Sequence, residues 1–188
     1  MKRIAILGSG AGTNAEDIIK RFANSGKIKV ALILSNKADA FILERGRRNE
    51  IPSIAFSKKD LYESDNVLAL LNEHAIDFIV LAGFMKLIPE KIINAYQGII
   101  INIHPALLPN FGGKDMHGSK VHESVIASGA IMSGITIHYV NEKLDEGEII
   151  FQAACHVAKE DTPDSLAAKI HALEYMYYPV VIEKLGSA

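Results

Sequence analysis

The chain has 188 residues, of which 49% are hydrophobic and 22% charged, and its net charge is −2. That length fits one domain with a substantial core, and the near-balanced charge excludes bulk electrostatic attraction to nucleic acid or an anionic membrane. The single Cys155 excludes an internal disulfide and a multi-cysteine metal site, and no apolar run is long enough to span a bilayer, so a cytoplasmic protein is expected.

Strands and helices alternate from the N-terminus. Ile4–Leu7 reads as a buried strand ended by Gly8. A helix over Asn14–Ser25 follows, with Ala15, Ile18, Ile19, Phe22 and Ala23 on one face. Val30–Leu34 is a second strand, Ala40–Asn49 a helix and Ile51–Phe56 a short strand. Val67–His74 is helical, Phe78–Ala82 an apolar strand, Pro89–Tyr96 a helix with proline in its first turn, and Ile99–Ile103 another apolar strand. This order predicts a doubly wound α/β fold, a parallel sheet with helices on both faces. After Pro105 the rhythm changes. Leu107–Ser119 is irregular, Lys120–Ser128 a short helix ended by Gly129, and Ile135–Val140 and Ile149–Ala154 are strands joined by an acidic turn. Thr162-Pro163 starts a last helix carrying Leu166, Ile170, Leu173 and Tyr177 on one face. Pro179 is expected to kink or break it near Tyr175. The sheet is therefore mostly parallel with a mixed C-terminal part, within a single domain spanning 1–188.

The segment Gly8-Ser9-Gly10-Ala11-Gly12-Thr13-Asn14 joins the first strand to the first helix. Glycines let the backbone turn tightly, and free amides at a helix start attract phosphate. It is not a dinucleotide fingerprint: Thr13 stands where the last glycine belongs, and Ser35-Asn36 ends the second strand in place of an acidic residue. A phosphate cradle and an inert turn both fit.

The segment Gly98-Ile99-Ile100-Ile101-Asn102-Ile103-His104-Pro105 carries the strongest chemical signal. Alternation puts Asn102 and His104 on one face of a strand that should be apolar on both. They stand at its carboxyl end, where open α/β sheets bind ligands. Histidine moves protons near neutral pH, and an asparagine amide donates to an oxyanion. Asp145-Glu146-Gly147-Glu148 forms a charged turn, weak evidence by itself. Thr136 and His138 share a strand face and either line the same cavity or satisfy each other. The seven histidines show no metal-ligand spacing, so no metal site is expected.

Taken together the segments resemble the glycinamide ribonucleotide formyltransferases of the folate-dependent formyltransferase family. The likeness runs through Gly8–Asn14, Ser35–Ala40, Leu81–Met85, Asn102–Pro109, Gly134–Val140, Leu144–Gly147 and Glu174. It implies a Rossmann-like fold of the formyltransferase type, with a phosphate-binding half (1–104) and a catalytic, folate-closing half (105–188). It implies a catalytic trio of Asn102, His104 and Asp145, with Asp145 favouring the charged imidazole. It implies that Gly12, Thr13, Asn14, Pro105 and Glu174 hold the ribonucleotide, and that Lys59, Met85, Lys86, Leu87, Ile88 and Asn102 meet the folate. The co-substrate implied is 10-formyltetrahydrofolate, the acceptor the amine of glycinamide ribonucleotide, and the setting de novo purine synthesis. A formyl-folate hydrolase is the rival enzyme, and a sugar-phosphate binding module the rival of another class. Ala106 and the longer 114–120 segment depart from the family pattern. The pattern does not separate a monomer from a homodimer.

Overall fold

The computed structural model describes residues 1–97 and 99–187; Gly98, at the head of the predicted polar strand, and Ala188 lie outside them. A seven-stranded sheet runs in the order β3-β2-β1-β4-β5-β6-β7. β1 (Lys2–Leu7), β2 (Ile28–Ser35), β3 (Ser53–Ala55), β4 (Phe78–Leu81) and β5 (Ile100–His104) are parallel. β6 (Met132–Tyr139) and β7 (Ile149–His156) join antiparallel. The expected doubly wound, mostly parallel fold is therefore present, and its mixed part is the β6–β7 edge.

Strand alternation divides the apolar residues between two cores. Ile4 and Ile6 of β1 and Ile101 and Ile103 of β5 face one layer. That layer holds α1 (Thr13–Phe22), α2 (Phe41–Arg48), α6 (Ser119–Ala127) and α7 (Pro163–Gly186). Ala5, Leu7 and Ile100 face the other, with α3 (Lys58–Tyr62), α4 (Asn66–Glu73) and α5 (Glu90–Ala95). Asn102 and His104 continue the row of Ile100 past the end of this second core.

Three elements differ from the pattern-based expectation. α3 was not foreseen: it is short, and it starts on a capping box in which Ser57 Oγ accepts from Asp60 N (3.1 Å) and the Asp60 carboxylate accepts from Ser57 N (2.8 Å). Pro89 is the N-cap of α5 and not a first-turn residue. α7 neither ends nor breaks at Pro179 but continues to Gly186. The proline removes one helical amide at a cost of roughly 3 kcal/mol. Tyr178, Pro179, Val181 and Ile182 are all buried against the sheet, and that packing carries the helix through. Among the described residues no helix is long and apolar enough to cross a membrane.

Candidate active site

β2 and β3 build outward from one side of β1, and β4 and β5 from the other. The strand order thus reverses between β1 and β4, where doubly wound sheets open a crevice at their carboxyl ends. Ser9 ties this crevice together. Its amide donates to the Gly83 carbonyl (3.0 Å), its hydroxyl donates to Asn36 Oδ1 (2.6 Å), and it accepts from the Met85 amide (3.0 Å). The segments following β1, β2 and β4 are thereby locked to one another. Gly12, the N-cap of α1, has φ +71°, and a Cβ there would lie 2.6 Å from the Ile42 side chain, so both backbone and space demand glycine. Asn14 Nδ2 donates to Glu174 Oε2 (2.9 Å), joining the start of α1 to α7. Burial pushes the Glu174 carboxyl above its ordinary range, against the Asn14 bond and the His171 charge.

At the end of β5, His104 is 4% exposed. Its Nε2 donates to the Phe111 carbonyl (2.8 Å), and Nδ1 lies 3.5 Å from Asp145 Oδ2. Asn102 Nδ2 donates to His138 Nε2 (3.1 Å), and His138 Nδ1 donates to the Tyr139 carbonyl (2.8 Å). The Tyr139 contact places a ring proton on Nδ1, and Nε2 lies between the Asn102 amide and Asp145 Oδ1 (3.7 Å), so His138 braces both of these residues. Asp145 adopts a left-handed backbone (φ 56°), and its Oδ2 accepts the Gly113 amide (2.9 Å). Burial alone would push its carboxyl up. The His138 and His104 rings and the Gly113 amide outweigh this and hold it below the ordinary carboxylate value. For His104 the balance falls the other way. Burial pushes its pKa below 6.5, and neither Asp145 nor the Phe111 carbonyl restores it. Asp145 does favour the charged imidazole, but desolvation exceeds the pull of one carboxylate, so the resting ring is neutral at neutral pH.

These groups share one cleft of about 570 Å³. Gly10 to Asn14 form one wall, Ala82 to Met85 and Asn102 to Pro105 the floor, and Gly113 to Ser119 with His122 a flank, with Asp145, His171 and Glu174 among the other lining residues. The glycine wall carries backbone amides at the start of α1, and Asn102 and His104 bring an amide donor and an ionisable ring to the same cleft.

The comparisons with known proteins agree with this geometry. The sequence matches the formyl transferase family over residues 2–182. The chain belongs to that family. The chloroplastic phosphoribosylglycinamide formyltransferase of Arabidopsis thaliana is 40% identical, over 96% of this chain and 64% of its own length. The chain thus spans just under two thirds of that plant relative. The phosphoribosylglycinamide formyltransferase of Bacillus subtilis is 39% identical, covering 98% of this chain and 95% of that protein. The crystal structure of the Anaplasma phagocytophilum phosphoribosylglycinamide formyltransferase superposes with a TM-score of 0.91 at 36% identity, over 99% of this chain and 87% of that one.

Of the residues drawn from the family likeness, Gly12, Thr13, Asn14, Met85, Asn102, His104, Pro105, Asp145 and Glu174 line the cleft together. Lys59, Lys86, Leu87 and Ile88 do not line it. Lys59 is exposed on α3, Lys86 and Leu87 are exposed beyond Met85, and Ile88 is buried in the second core. Thr136 and His138 stand behind the cleft wall and do not satisfy each other. Thr136 Oγ1 donates to the Ala106 carbonyl (2.7 Å) and accepts from the Leu108 amide (2.9 Å), while His138 serves Asn102. Ser9, His122 and His171 were not singled out by the sequence. Only Ser9 had a local signal, its place inside the glycine loop; the two histidines reach the cleft because α6 packs on α7. Among the described residues no group of three or more His, Cys, Asp or Glu side chains is arranged to hold a metal ion.

Proposed function

We propose that the chain transfers the formyl group of 10-formyltetrahydrofolate to the amine of glycinamide ribonucleotide, in purine synthesis, giving formylglycinamide ribonucleotide and tetrahydrofolate. The observation that carries this reading is the single cleft with a glycine-loop wall at one side and Asn102, His104 and Asp145 at the other. A phosphorylated ribose with a short amine arm would set its phosphate on the glycine loop and its amine toward Asn102 and His104. Gly12, Thr13 and Asn14 would take its phosphate, and Glu174 and Pro105 would face its sugar. Met85 and Leu87 are 44% and 43% exposed, and they offer an apolar surface beside the cleft for a folate ring, with Lys86, Ile88 and Lys59 flanking it. Residues 1–104 then form the phosphate-binding half and 105–188 the catalytic, folate-closing half of one domain. The one continuous sheet supports a single unit.

The chemistry is direct acyl transfer and needs no enzyme nucleophile. The amine attacks the formyl carbon, and the carbonyl oxygen becomes an oxyanion. The bond from that carbon to the folate nitrogen then breaks, its electron pair leaving with the nitrogen. Asn102, held by His138, donates to the oxyanion. His104, neutral at rest, exchanges the Phe111 carbonyl for the reacting atoms; with its ring proton moved to Nδ1, facing Asp145, its Nε2 takes the proton lost by the amine and returns it to the leaving nitrogen. Asp145 stabilises the imidazolium during that interval. A cytoplasmic setting, read from composition and the lone cysteine, belongs to the same proposal.

The test is the release of tetrahydrofolate, followed by absorbance, with and without glycinamide ribonucleotide. Release that depends on the ribonucleotide is expected. Equal release without it would make the chain a formyl-folate hydrolase, and no release in either case would refute the reading.

A further inference from the structure

α2 lies behind the glycine loop, on the side away from the cleft, and it grips two successive carbonyls of that loop. The Ile42 amide donates to the Gly10 carbonyl (3.1 Å), and Arg45 Nε donates to the Ala11 carbonyl (2.7 Å). In a trans peptide the carbonyl and the next amide point in opposite directions. Pinning the Gly10 and Ala11 carbonyls toward α2 therefore turns the Ala11 and Gly12 amides away from it. The loop separates α2 from the cleft, so away from α2 is toward the cleft. Gly12 itself is left-handed (φ +71°, ψ 33°), and successive amides around a left-handed residue form a concave anion cradle.

Ile42 uses its backbone, which any residue would supply. Arg45 uses its side chain, and that side chain is held on every side. One guanidinium nitrogen pairs with Glu16 in the first turn of α1, and the group lies over the Phe41 ring at 4.9 Å. Only 18% of the side chain is exposed. Arg45 does not line the cleft and has no part in the chemistry described above. The sequence around it, continuing the Ser35–Ala40 segment, is also unaccounted for by the catalytic trio.

We infer that Arg45 is a positioning residue for the substrate phosphate: by holding the Ala11 carbonyl outward it keeps the Gly12 amide turned into the cleft. The inference rests on the reading of the glycine loop as the phosphate site. Without the guanidinium the peptide between Ala11 and Gly12 is free to rotate, and one charge-assisting amide leaves the cradle. Lysine cannot replace it fully, because an ammonium lacks the planar fork that serves the carbonyl and Glu16 while stacking on Phe41.

Steady-state kinetics of Arg45→Ala and Arg45→Lys, each checked by thermal melting, test this. For Arg45→Ala the KM for glycinamide ribonucleotide is expected to rise about tenfold, as loss of a hydrogen bond to a charged group implies. Turnover at saturation and the KM for 10-formyltetrahydrofolate should change less than about twofold, and Arg45→Lys should fall between. With glycinamide riboside, which lacks the phosphate, wild type and variants should have equal kcat/KM. A general structural defect would lower kcat/KM for both acceptors alike, and that result overturns the inference, as does an unchanged KM for the ribonucleotide in both variants. Calorimetric titration with ribose 5-phosphate reads the loop without any transfer. If the wild type binds it and Arg45→Ala binds it about tenfold more weakly, the inference stands even where the ribonucleotide proves to be the wrong acceptor. A wild type that does not bind it, or an Arg45→Ala chain that binds it equally, refutes the inference.

Discussion

His104 is pulled in two directions, and its use follows from the tension. Burial keeps the ring neutral, yet both ring nitrogens face acceptors, the Phe111 carbonyl and the Asp145 carboxylate. A proton gained during the reaction thus finds partners at once, which suits a group that must take a proton and give it back. Replacing His104 by alanine or Asp145 by asparagine should lower turnover by about 10²–10⁴-fold while leaving the KM values of both substrates within a few-fold. Near wild-type turnover in either variant would remove these residues from the mechanism. The pH profile adds a finer check. kcat/KM should fall on the acid side as free His104 becomes protonated, with a midpoint below 6.5. Asp145 raises the His104 pKa, so the residual activity of Asp145→Asn should keep its acid limb at lower pH than the wild type. A limb that moves to higher pH would contradict the pairing. Asn102 and His104 were legible from sequence because two polar side chains broke the apolar rule of a central strand. Asp145 was not: a charged turn is ordinarily solvated, and only the left-handed backbone that aims it at β5 gives it a role. His138 was visible as a polar strand residue, but its partner Asn102 stands opposite it on an antiparallel neighbour, a pairing that alternation within one strand does not reveal.

At the level of elements, what was legible is what repeats. The alternation of apolar strands with amphipathic helices up to β5 gave the parallel half, because burial on both faces leaves uninterrupted apolar runs. β6 and β7 were found as strands, though each is longer than its apolar stretch because Met132, Cys155 and His156 extend the antiparallel ladder. α3 was invisible because five residues are too few for a period. The continuity of α7 past Pro179 was invisible because the local rule for proline loses to tertiary packing. That packing includes a polar anchor. Tyr178 is fully buried, and its hydroxyl donates to the Leu81 carbonyl at the end of β4 (2.8 Å). Tyr178→Phe keeps the ring and strands that carbonyl lone pair in the core, so it should destabilise the fold by about 1–2 kcal/mol. Urea unfolding should show a lower midpoint with an unchanged slope. Turnover at saturation should hold within about twofold of wild type, since the hydroxyl faces the sheet and not the cleft. An unchanged midpoint would mean that the hydroxyl contributes nothing net.

For the whole molecule, the cleft concentrates titratable groups that the two apolar cores exclude, and this couples stability to pH. Two buried histidines, His104 and His122, have pKa values below their ordinary 6.5, in each case chiefly through desolvation. His122 Nδ1, on α6, has no hydrogen-bond partner among the described residues. A histidine whose folded pKa is depressed binds fewer protons folded than unfolded, between its folded value and 6.5. Stability is therefore full above about 6.5 and declines as pH falls below it. Asp145, also depressed, adds stability above its ordinary 3.8 that is lost at still lower pH. Glu174 has the opposite sign. Its carboxyl is raised above 4.5, so the fold gains from it on acidification and loses as pH rises through the raised value. The two histidines are expected to outweigh the raised carboxyls of Glu174 and Asp17, so that the net direction is downward between pH 7 and 5. The melting temperature should fall across that window, and His122→Gln should flatten the fall, because glutamine has no proton to gain there. Glu174→Gln should steepen it, by removing an opposing group. A melting temperature that rises or stays level from pH 7 to 5 in the wild type would mean that the histidine rings reach water in the folded chain, and that their burial does not govern its acid response.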